Sequence, residues 1–185
     1  MYKRQVLTVD GAYKAADFIN FCDAYDIPVL SLTNVKGYAA DVRSEKSIAK
    51  AVAKLTYAFA NANVPKVNVI TGEAYGSAYV TMNSKALGAD VTYAWPDASI
   101  GMMDANEAAK IMYADDIAKS ADVQSVISEK AAEYAALQSG VESAAARGYV
   151  DTIINPEDTR KYVAAAFEML YTKREDRPDK KHGTV

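Results

Sequence analysis

The sequence predicts an α/β protein with one domain. Short runs of β-branched residues, such as Val29–Val35, alternate with longer segments whose apolar residues recur at helical spacing. Half of the 185 residues are hydrophobic (50%), which is enough to bury a substantial core.

The first helix is predicted over residues 12–25, with Phe18, Cys22 and Tyr25 on its apolar face. We expect Cys22 to be a buried structural thiol, because free cysteine behaves as a small hydrophobic residue. The next run, Val29–Val35, is apolar or β-branched nearly throughout, which favours a central strand.

The middle of the chain predicts a helix, a strand and a second helix. Ser44 can cap a helix that continues to residue 62, since apolar residues then follow at helical spacing. A strand is expected over residues 67–71, followed by a tight connection over residues 72–75. The helix that starts there is predicted to end at Gly88.

The last third of the chain continues the alternation of strands and helices. Strands are predicted over residues 91–95 and 99–103, and Asp104 can cap a short helix. A long helix is expected over residues 119–139, and Pro156 is typical of the first turn of the final helix. The charged tail, residues 172–185, is predicted to be mobile or bound to a partner.

The composition excludes several classes of function. A net charge of -3 with 24% charged residues is untypical of a nucleic-acid-binding protein. One cysteine and one histidine provide no metal-ligand spacing, so we predict no metal in this domain. No apolar stretch approaches the roughly 20 residues of a membrane span, so we predict a cytoplasmic protein without membrane insertion.

Residues 67–79 carry the clearest functional signal, because a strand there leads small residues to the start of a helix. The first N–H groups of a helix lack intrahelical acceptors, and the helix dipole favours an anion at that end. Gly76, Ser77 and Ala78 are small enough for an oxygen to approach the backbone. The pattern indicates an oxyanion hole in outline. Tight packing of the helix against its sheet explains the same small residues.

Several stretches in order resemble the biotin-dependent acyl-CoA carboxyltransferase family. The resemblance covers roughly residues 10–182 and includes the β subunits of acyl-CoA carboxylases and the α subunits of acyl-CoA decarboxylases. The matching stretches are residues 15–28, 64–67, 74–79, 93–96 and 148–151, with Pro156, Thr159, Arg160 and the closing residues 180–183.

This resemblance implies a crotonase-like (ClpP/crotonase) fold, in which β-β-α units form a spiral. It implies carboxyl transfer between carboxybiotin and a short-chain acyl-CoA, with the biotin ureido oxygen held by the backbone N–H groups of Ser77 and Ala78. Ser77 stands where the family has glycine, but a backbone donor survives that change. Gly76, Tyr79 and Val80 are then expected to bind substrate or biotin, with Val80 lining the acyl pocket.

The loop after the first long strand departs from the family. Where the family has Pro-Gly-Phe followed by Pro-Gly, this chain has residues 36–41, Lys-Gly-Tyr-Ala-Ala-Asp, and only Gly37 is kept. Gly37 is a candidate substrate-binding residue and equally a turn glycine. We expect the altered loop to change the substrate entrance.

The resemblance also implies what lies outside the chain. Residues 1–185 correspond to the C-terminal domain of a two-domain carboxyltransferase, and we expect a fragment that lacks the N-terminal, CoA-binding domain. Expected partners are acyl-CoA, the biotin carboxyl carrier protein that carries biotin, the N-terminal half and further copies of the chain in a homo-oligomer.

Three alternatives remain at this point. The chain can be a non-catalytic half that docks biotin and supports assembly. It can be a crotonase-type hydratase or isomerase, for which Glu73 and Asp104 are candidate bases. A serine hydrolase would use Ser77 as nucleophile, although the single histidine, His182, lies in the charged tail.

Overall fold

A computed structural model describes residues 5–120 and 122–175, and the predicted α/β arrangement is confirmed. The strands are β1 Val6–Leu7, β2 Val29–Val35, β3 Gly37–Tyr38, β4 Lys66–Tyr75, β5 Val91–Ala94, β6 Ser99–Gly101 and β7 Thr152–Ile153. The helices are α1 Val9–Ala24, α2 Val42–Glu45, α3 Ile48–Asn61, α4 Gly76–Thr81, α5 Ala105–Met112, α6 Ala114–Lys119, α7 Val123–Tyr134, α8 Val141–Ala146 and α9 Thr159–Met169.

The main sheet is parallel and has the order β2-β4-β5-β7. Strand β4 changes partner along its length: Val67 pairs with Val91 of β5, whereas Glu73 pairs with Ser99 of β6. The last residues of β4 therefore extend past its pairing with β5 and lead directly into α4.

The prediction that Val29–Val35 is a central strand is wrong. Strand β2 lies at the edge of the main sheet, and Leu30 and Leu32 are 43% and 60% exposed. A run that is apolar on both faces indicates two covered faces, but the described residues cover only one face of β2. The apolar outer face of β2 is therefore a candidate contact surface.

The predicted apolar face of the first helix needs a similar correction. Cys22 is buried as expected, with Ala12, Ala16 and Ile19 on the same face of α1. Phe18 and Tyr25 are exposed instead, because α1 packs on α3 through its small residues. Tyr13 of α1 packs against this core, whereas Phe18 and Phe21 are exposed.

Ser44 does not cap the helix that follows it. Asp41 is the N-cap of the short helix α2, and its carboxylate accepts hydrogen bonds from the N–H and the hydroxyl of Ser44, both at 2.8 Å. These bonds lower the pKa of Asp41. The chain then starts again as α3 at Ile48, so the predicted single helix is two.

Residues 72–75 form part of β4 and not a tight connection. Gly72 is required for close approach, because a Cβ on it would lie 2.9 Å from Oδ1 of Asn34. That oxygen accepts the N–H of Glu73 at 3.1 Å. The glycine therefore lets an amide side chain from the neighbouring strand bond to the backbone of β4.

The helix that begins at residue 76 ends long before Gly88. Asn83 has a left-handed φ of 57° and is buried, and its amide donates to the carbonyl of Val67 at 3.4 Å. Asparagine tolerates this conformation better than most residues, so a tertiary hydrogen bond overrides the helical pattern. Gly88 ends only the following 3-10 turn, Lys85–Leu87, with a φ of 100°.

The remaining helices and strands agree better with the predictions from the sequence. Asp104 caps α5 by accepting the N–H of Asn106 at 2.9 Å, as predicted. The predicted long helix is α7, which begins at Val123 and continues as the π-helix Ala135–Ser139. Helix α8 was not predicted. The final helix follows a 3-10 turn that Pro156 opens.

The two faces of the central strands support different cores. Val67, Val69 and Tyr93 point to one face, where they pack with Ile154 and α9. Residues of the opposite face, including Ile70 and Ala94, pack with α4 and α8. In the described ranges, no helix combines the length and apolar character that a membrane span requires.

Candidate functional site

The strand-to-helix junction depends on the backbone of Gly76. Tyr75 ends β4 with an extended conformation, and Gly76 turns the chain with a φ of +60°. A Cβ on Gly76 would lie 3.0 Å from the carbonyl oxygen of Met102. Glycine is therefore needed here both for its conformation and for its lack of a side chain.

The N–H groups of Gly76, Ser77 and Ala78 occupy the first turn of α4, where helical geometry offers no acceptor. Ser77 is exposed, whereas Ala78 is 1% exposed. Ser77 thus borders an open space, and its neighbour Ala78 is buried.

That open space is a cavity of about 450 Å³ between α4, β6 and the end of α8, called here the α4 cavity. Apolar side chains and small residues dominate its wall. Its lining consists of Gly76, Ser77, Tyr79, Val80, Ser84, Ala86, Ile100, Gly101, Met102, Ala144, Arg147 and Tyr149. A small, largely apolar ligand with a few polar atoms suits such a cavity.

Tyr79 combines burial with an unsatisfied polar atom. The residue is only 7% exposed, and among the described residues its hydroxyl finds no hydrogen-bond partner. Burial, followed by the influence of Tyr149, raises the pKa of Tyr79 to about 12. The phenol is therefore protonated at neutral pH and able to donate.

The structure brings together most of the residues that the sequence singled out. Gly76, Ser77, Tyr79 and Val80 line the α4 cavity, while Ala78 is buried next to them. Gly37 lies outside this lining, in β3, where it pairs with Val6 of β1.

The sequence profile of the carboxyl transferase domain matches residues 4–185. The chain belongs to the carboxyl transferase domain family. A Bacillus subtilis protein assigned as a propionyl-CoA carboxylase β chain is 50% identical over 97% of this chain and 36% of its own length. The α subunit of methylmalonyl-CoA decarboxylase from Propionigenium modestum is 43% identical over 97% of this chain and 35% of its own length.

A solved structure of the transcarboxylase 12S subunit matches the carboxyl transferase domain with a TM-score of 0.91 and 42% identity. The match covers 96% of this chain and 34% of the solved chain, which was crystallised with methylmalonyl-CoA and methylmalonic acid. The predicted crotonase-like fold is confirmed. The chain spans about a third of the length of the relatives it matches.

The carboxyl transferase domain also places residues at the α4 cavity that sequence reasoning did not assign to a site. Met102 directly follows β6, and Arg147 and Tyr149 follow the end of α8. Only the matching stretch at residues 148–151 pointed to this region. No local spacing relates these positions to Ser77, because the fold alone brings them together.

The candidate bases of a hydratase have structural roles instead. Glu73 forms an ion pair with Lys36 at 3.0 Å and accepts a hydrogen bond from Gln5 at 2.9 Å. The pKa of Lys36 is raised by its hydrogen bond to Glu73 and then by the charge of Glu73. Asp104 caps α5. Glu73 and Asp104 are absent from the described lining of the α4 cavity.

The hydrolase alternative also lacks support at the site. The only histidine of the sequence, His182, falls outside the described residues, as does the matching stretch 180–183. The described residues therefore offer Ser77 no imidazole base. The carbonyl of Ser77 accepts the hydroxyl of Thr81 at 2.8 Å, which is an ordinary helical contact.

Proposed function

We propose that this chain forms the biotin side of an active site that transfers a carboxyl group between carboxybiotin and a short-chain acyl-CoA. One observation carries the proposal: in a carboxyl transferase domain, the first turn of α4 borders the α4 cavity with Gly76 and the exposed Ser77. Relatives named for carboxylation and for decarboxylation are 50% and 43% identical, so the proposal covers both directions.

The residues present fit a biotin head group. Biotin has a compact, mostly apolar double ring with a polar urea group. The α4 cavity of about 450 Å³ offers apolar walls at Ile100 and Met102 and a backbone donor at Ser77. Gly76 leaves room where a Cβ would crowd the carbonyl of Met102. When bound, biotin supplies the carboxyl group that is transferred.

The chain contributes electrostatic stabilisation through its backbone. The N–H groups of Ser77 and Ala78 would donate to an oxygen on which negative charge develops, and removal of one such donor typically costs about 10²–10³ in rate. Serine in place of the family's glycine leaves that function intact, because the donor is the main chain. Neither residue needs to act as a general base.

Val80 and Gly37 complete the proposed substrate contacts. Val80 lines the α4 cavity and is 41% exposed, which supports an aliphatic contact to a short acyl group. Gly37 would contact the substrate at the substrate entrance. Its neighbour Tyr38 lies 3.3 Å from Thr81 of α4, measured between the two hydroxyl oxygens, so the altered loop contacts the helix that carries the site.

The proposed partners are acyl-CoA, the N-terminal carboxyltransferase half, the biotin carboxyl carrier protein and further copies of this chain. Exposed apolar side chains support an oligomer, since they need cover. These are Phe18, Phe21, Tyr25, Leu30 and Leu32. The related transcarboxylase 12S structure is described as a hexamer assembly. The cytoplasmic location stays a prediction from the sequence.

The experiment is to combine this chain with its N-terminal half and assay carboxyl transfer between carboxybiotin and short acyl-CoAs. We expect transfer, with retention of activity in Ser77→Ala because only its backbone N–H is used. Biotin-independent hydration would favour the hydratase. Loss of all activity in a folded Ser77→Ala would favour a serine nucleophile. Biotin docking without transfer would favour the assembly role.

A further inference from the structure

The α4 cavity has one charged residue in its wall as far as the structure describes it. That residue is Arg147, and the other lining residues are apolar, small or carry a hydroxyl group. The described lining contains no carboxylate that would neutralise the guanidinium. The wall of the cavity therefore carries a net positive charge at neutral pH, which favours an anionic ligand.

The guanidinium of Arg147 has no partner within residues 5–120 and 122–175. The ion pairs described there join lysines to acids, as in Lys85 with Asp151 at 2.7 Å and Lys173 with Asp90 at 2.9 Å. Arg147 is exposed, and only its backbone N–H donates to the protein, to carbonyls at the end of α8. The five N–H donors of the side chain are consequently available to a ligand.

A role at the end of α8 does not account for the position of this charge at the cavity. A cation at the C-terminus of a helix is favourable, but Ala146, the last residue of α8, is equally exposed and carries no charge. The chain turns at Gly148, which has a φ of 80°, and the residues on either side, Arg147 and Tyr149, both line the α4 cavity. The turn thus brings the arginine to the wall of the cavity.

We propose that Arg147 binds the carboxylate of carboxybiotin in the α4 cavity, which makes it a specificity-determining residue for the carboxylated form of biotin. This inference rests on the proposed function and deepens it. The backbone N–H of Ser77 would donate to the urea oxygen of both forms of biotin, so it does not distinguish them. The added carboxylate carries a full negative charge, and a guanidinium can hold its two oxygens through parallel hydrogen bonds.

The test uses the assembled carboxyltransferase that contains this chain, with Arg147→Gln, Arg147→Lys and the control Arg160→Gln. Arg160 is also exposed, but it lies in α9 and is absent from the described lining of the α4 cavity. Calorimetry measures the binding of biotin methyl ester, N-carboxybiotin methyl ester, propionyl-CoA and methylmalonyl-CoA separately. A mildly alkaline buffer keeps the carboxyl group on biotin, and methylmalonyl-CoA tests a carboxylate from the other substrate.

We expect Arg147→Gln to weaken the binding of N-carboxybiotin methyl ester about tenfold, the equivalent of one hydrogen bond to a charged group. Binding of biotin methyl ester and of the two CoA esters should not change. Arg147→Lys should lose less affinity, because the positive charge stays while the planar pair of donors is lost. Arg160→Gln should bind all four probes like the unsubstituted protein.

Other results overturn the inference. Unchanged affinity of Arg147→Gln for N-carboxybiotin methyl ester would show that the side chain does not bind the carboxylate. Equal losses for the two forms of biotin would indicate a contact with the ring or a structural effect, and a loss for methylmalonyl-CoA alone would move the contact to the acyl-CoA. Equal losses in Arg160→Gln would indicate a general effect of charge.

Failure of this contact differs from failure of the proposed function. If the unsubstituted assembly binds N-carboxybiotin methyl ester but transfers no carboxyl group, the proposed function fails, and the variants still decide whether Arg147 binds the carboxylate. If the assembly transfers carboxyl groups and Arg147→Gln binds both forms of biotin normally, only the inference about Arg147 fails. If neither form of biotin binds, both fail.

Discussion

Side chains on the two faces of the central sheet differ in their hydrogen bonding. On the α9 face, Nε1 of Trp95 donates to the hydroxyl of Thr159 at 2.9 Å, and the hydroxyl of Tyr93 reaches a backbone carbonyl. On the α4 face, Tyr79 and Ser139 each hold a buried hydroxyl oxygen without a partner among the described residues. The α9 face is cross-linked by side-chain hydrogen bonds, whereas the α4 face borders the α4 cavity. Substitutions on the α9 face should therefore change stability, and those on the α4 face should change transfer.

The largest expected effect concerns the α9 core. Ile154 is 2% exposed and packs with Val67, Val69 and Tyr93, so Ile154→Ala should destabilise the fold by about 2–5 kcal/mol. Its neighbour Ile153 is 36% exposed, and Ile153→Ala is the control with a much smaller expected loss. Urea denaturation measures both. A large drop in kcat in folded Ile154→Ala would break the contrast between the faces.

Gly76→Ala tests the α4 face at its turn. The left-handed φ and the contact with Met102 should cost about 1–3 kcal/mol of stability and displace the N–H groups of the first turn. Carboxyl transfer should fall by about 10²-fold. Gly140 has a φ of -66° and open space around its Cβ position, so Gly140→Ala is the control. Equal kcat values in the two variants would contradict the assignment of the turn.

Trp95→Phe removes a single hydrogen bond on the α9 face and so tests the contrast between the two faces. The substitution leaves the hydroxyl of Thr159 without its indole donor and should destabilise the fold by about 1 kcal/mol. The KM and kcat of carboxyl transfer should not change, because Trp95 lies with the α9 core. Steady-state kinetics beside thermal unfolding check this. A changed KM would give Trp95 a role in binding.

At neutral pH the smallest effect concerns the ionisation of Tyr79, which changes stability only under alkaline conditions. Its pKa of about 12 lies above the ordinary value of 10, so the fold favours the neutral phenol. This contribution to stability is complete below pH 10 and is lost as the pH rises from 10 to 12. Tyr79→Phe should therefore lose less stability over that interval than the unsubstituted protein. Tyr171→Phe, at a position that is 81% exposed, is the control and should leave the slope unchanged. Denaturation at several pH values measures it.

The sequence predicted features that depend on neighbouring residues. Asp104 as a cap and the delivery of Gly76 and Ser77 by a strand to a helix follow from local patterns. The resemblance added Tyr79 and Val80, which the fold places at the α4 cavity.

Features set by tertiary contacts could not be predicted in the same way. The left-handed Asn83 ends a helix because Val67, in another strand, offers a carbonyl. Arg147 and Tyr149 reach the α4 cavity from a distant part of the chain. Leu30 and Leu32 have the pattern of a covered strand, yet residues 5–120 and 122–175 leave them exposed.

The most direct measurement removes one backbone donor and nothing else. Ser77→Ala keeps the N–H at this position, and replacing the same residue by lactic acid, through an amide-to-ester substitution, exchanges that N–H for an ester oxygen. We predict that Ser77→Ala transfers carboxyl groups at nearly the unsubstituted rate and that the ester lowers kcat by about a hundredfold to a thousandfold. Equal rates for the two proteins would contradict the account, since the first turn of α4 would then hold no charged oxygen.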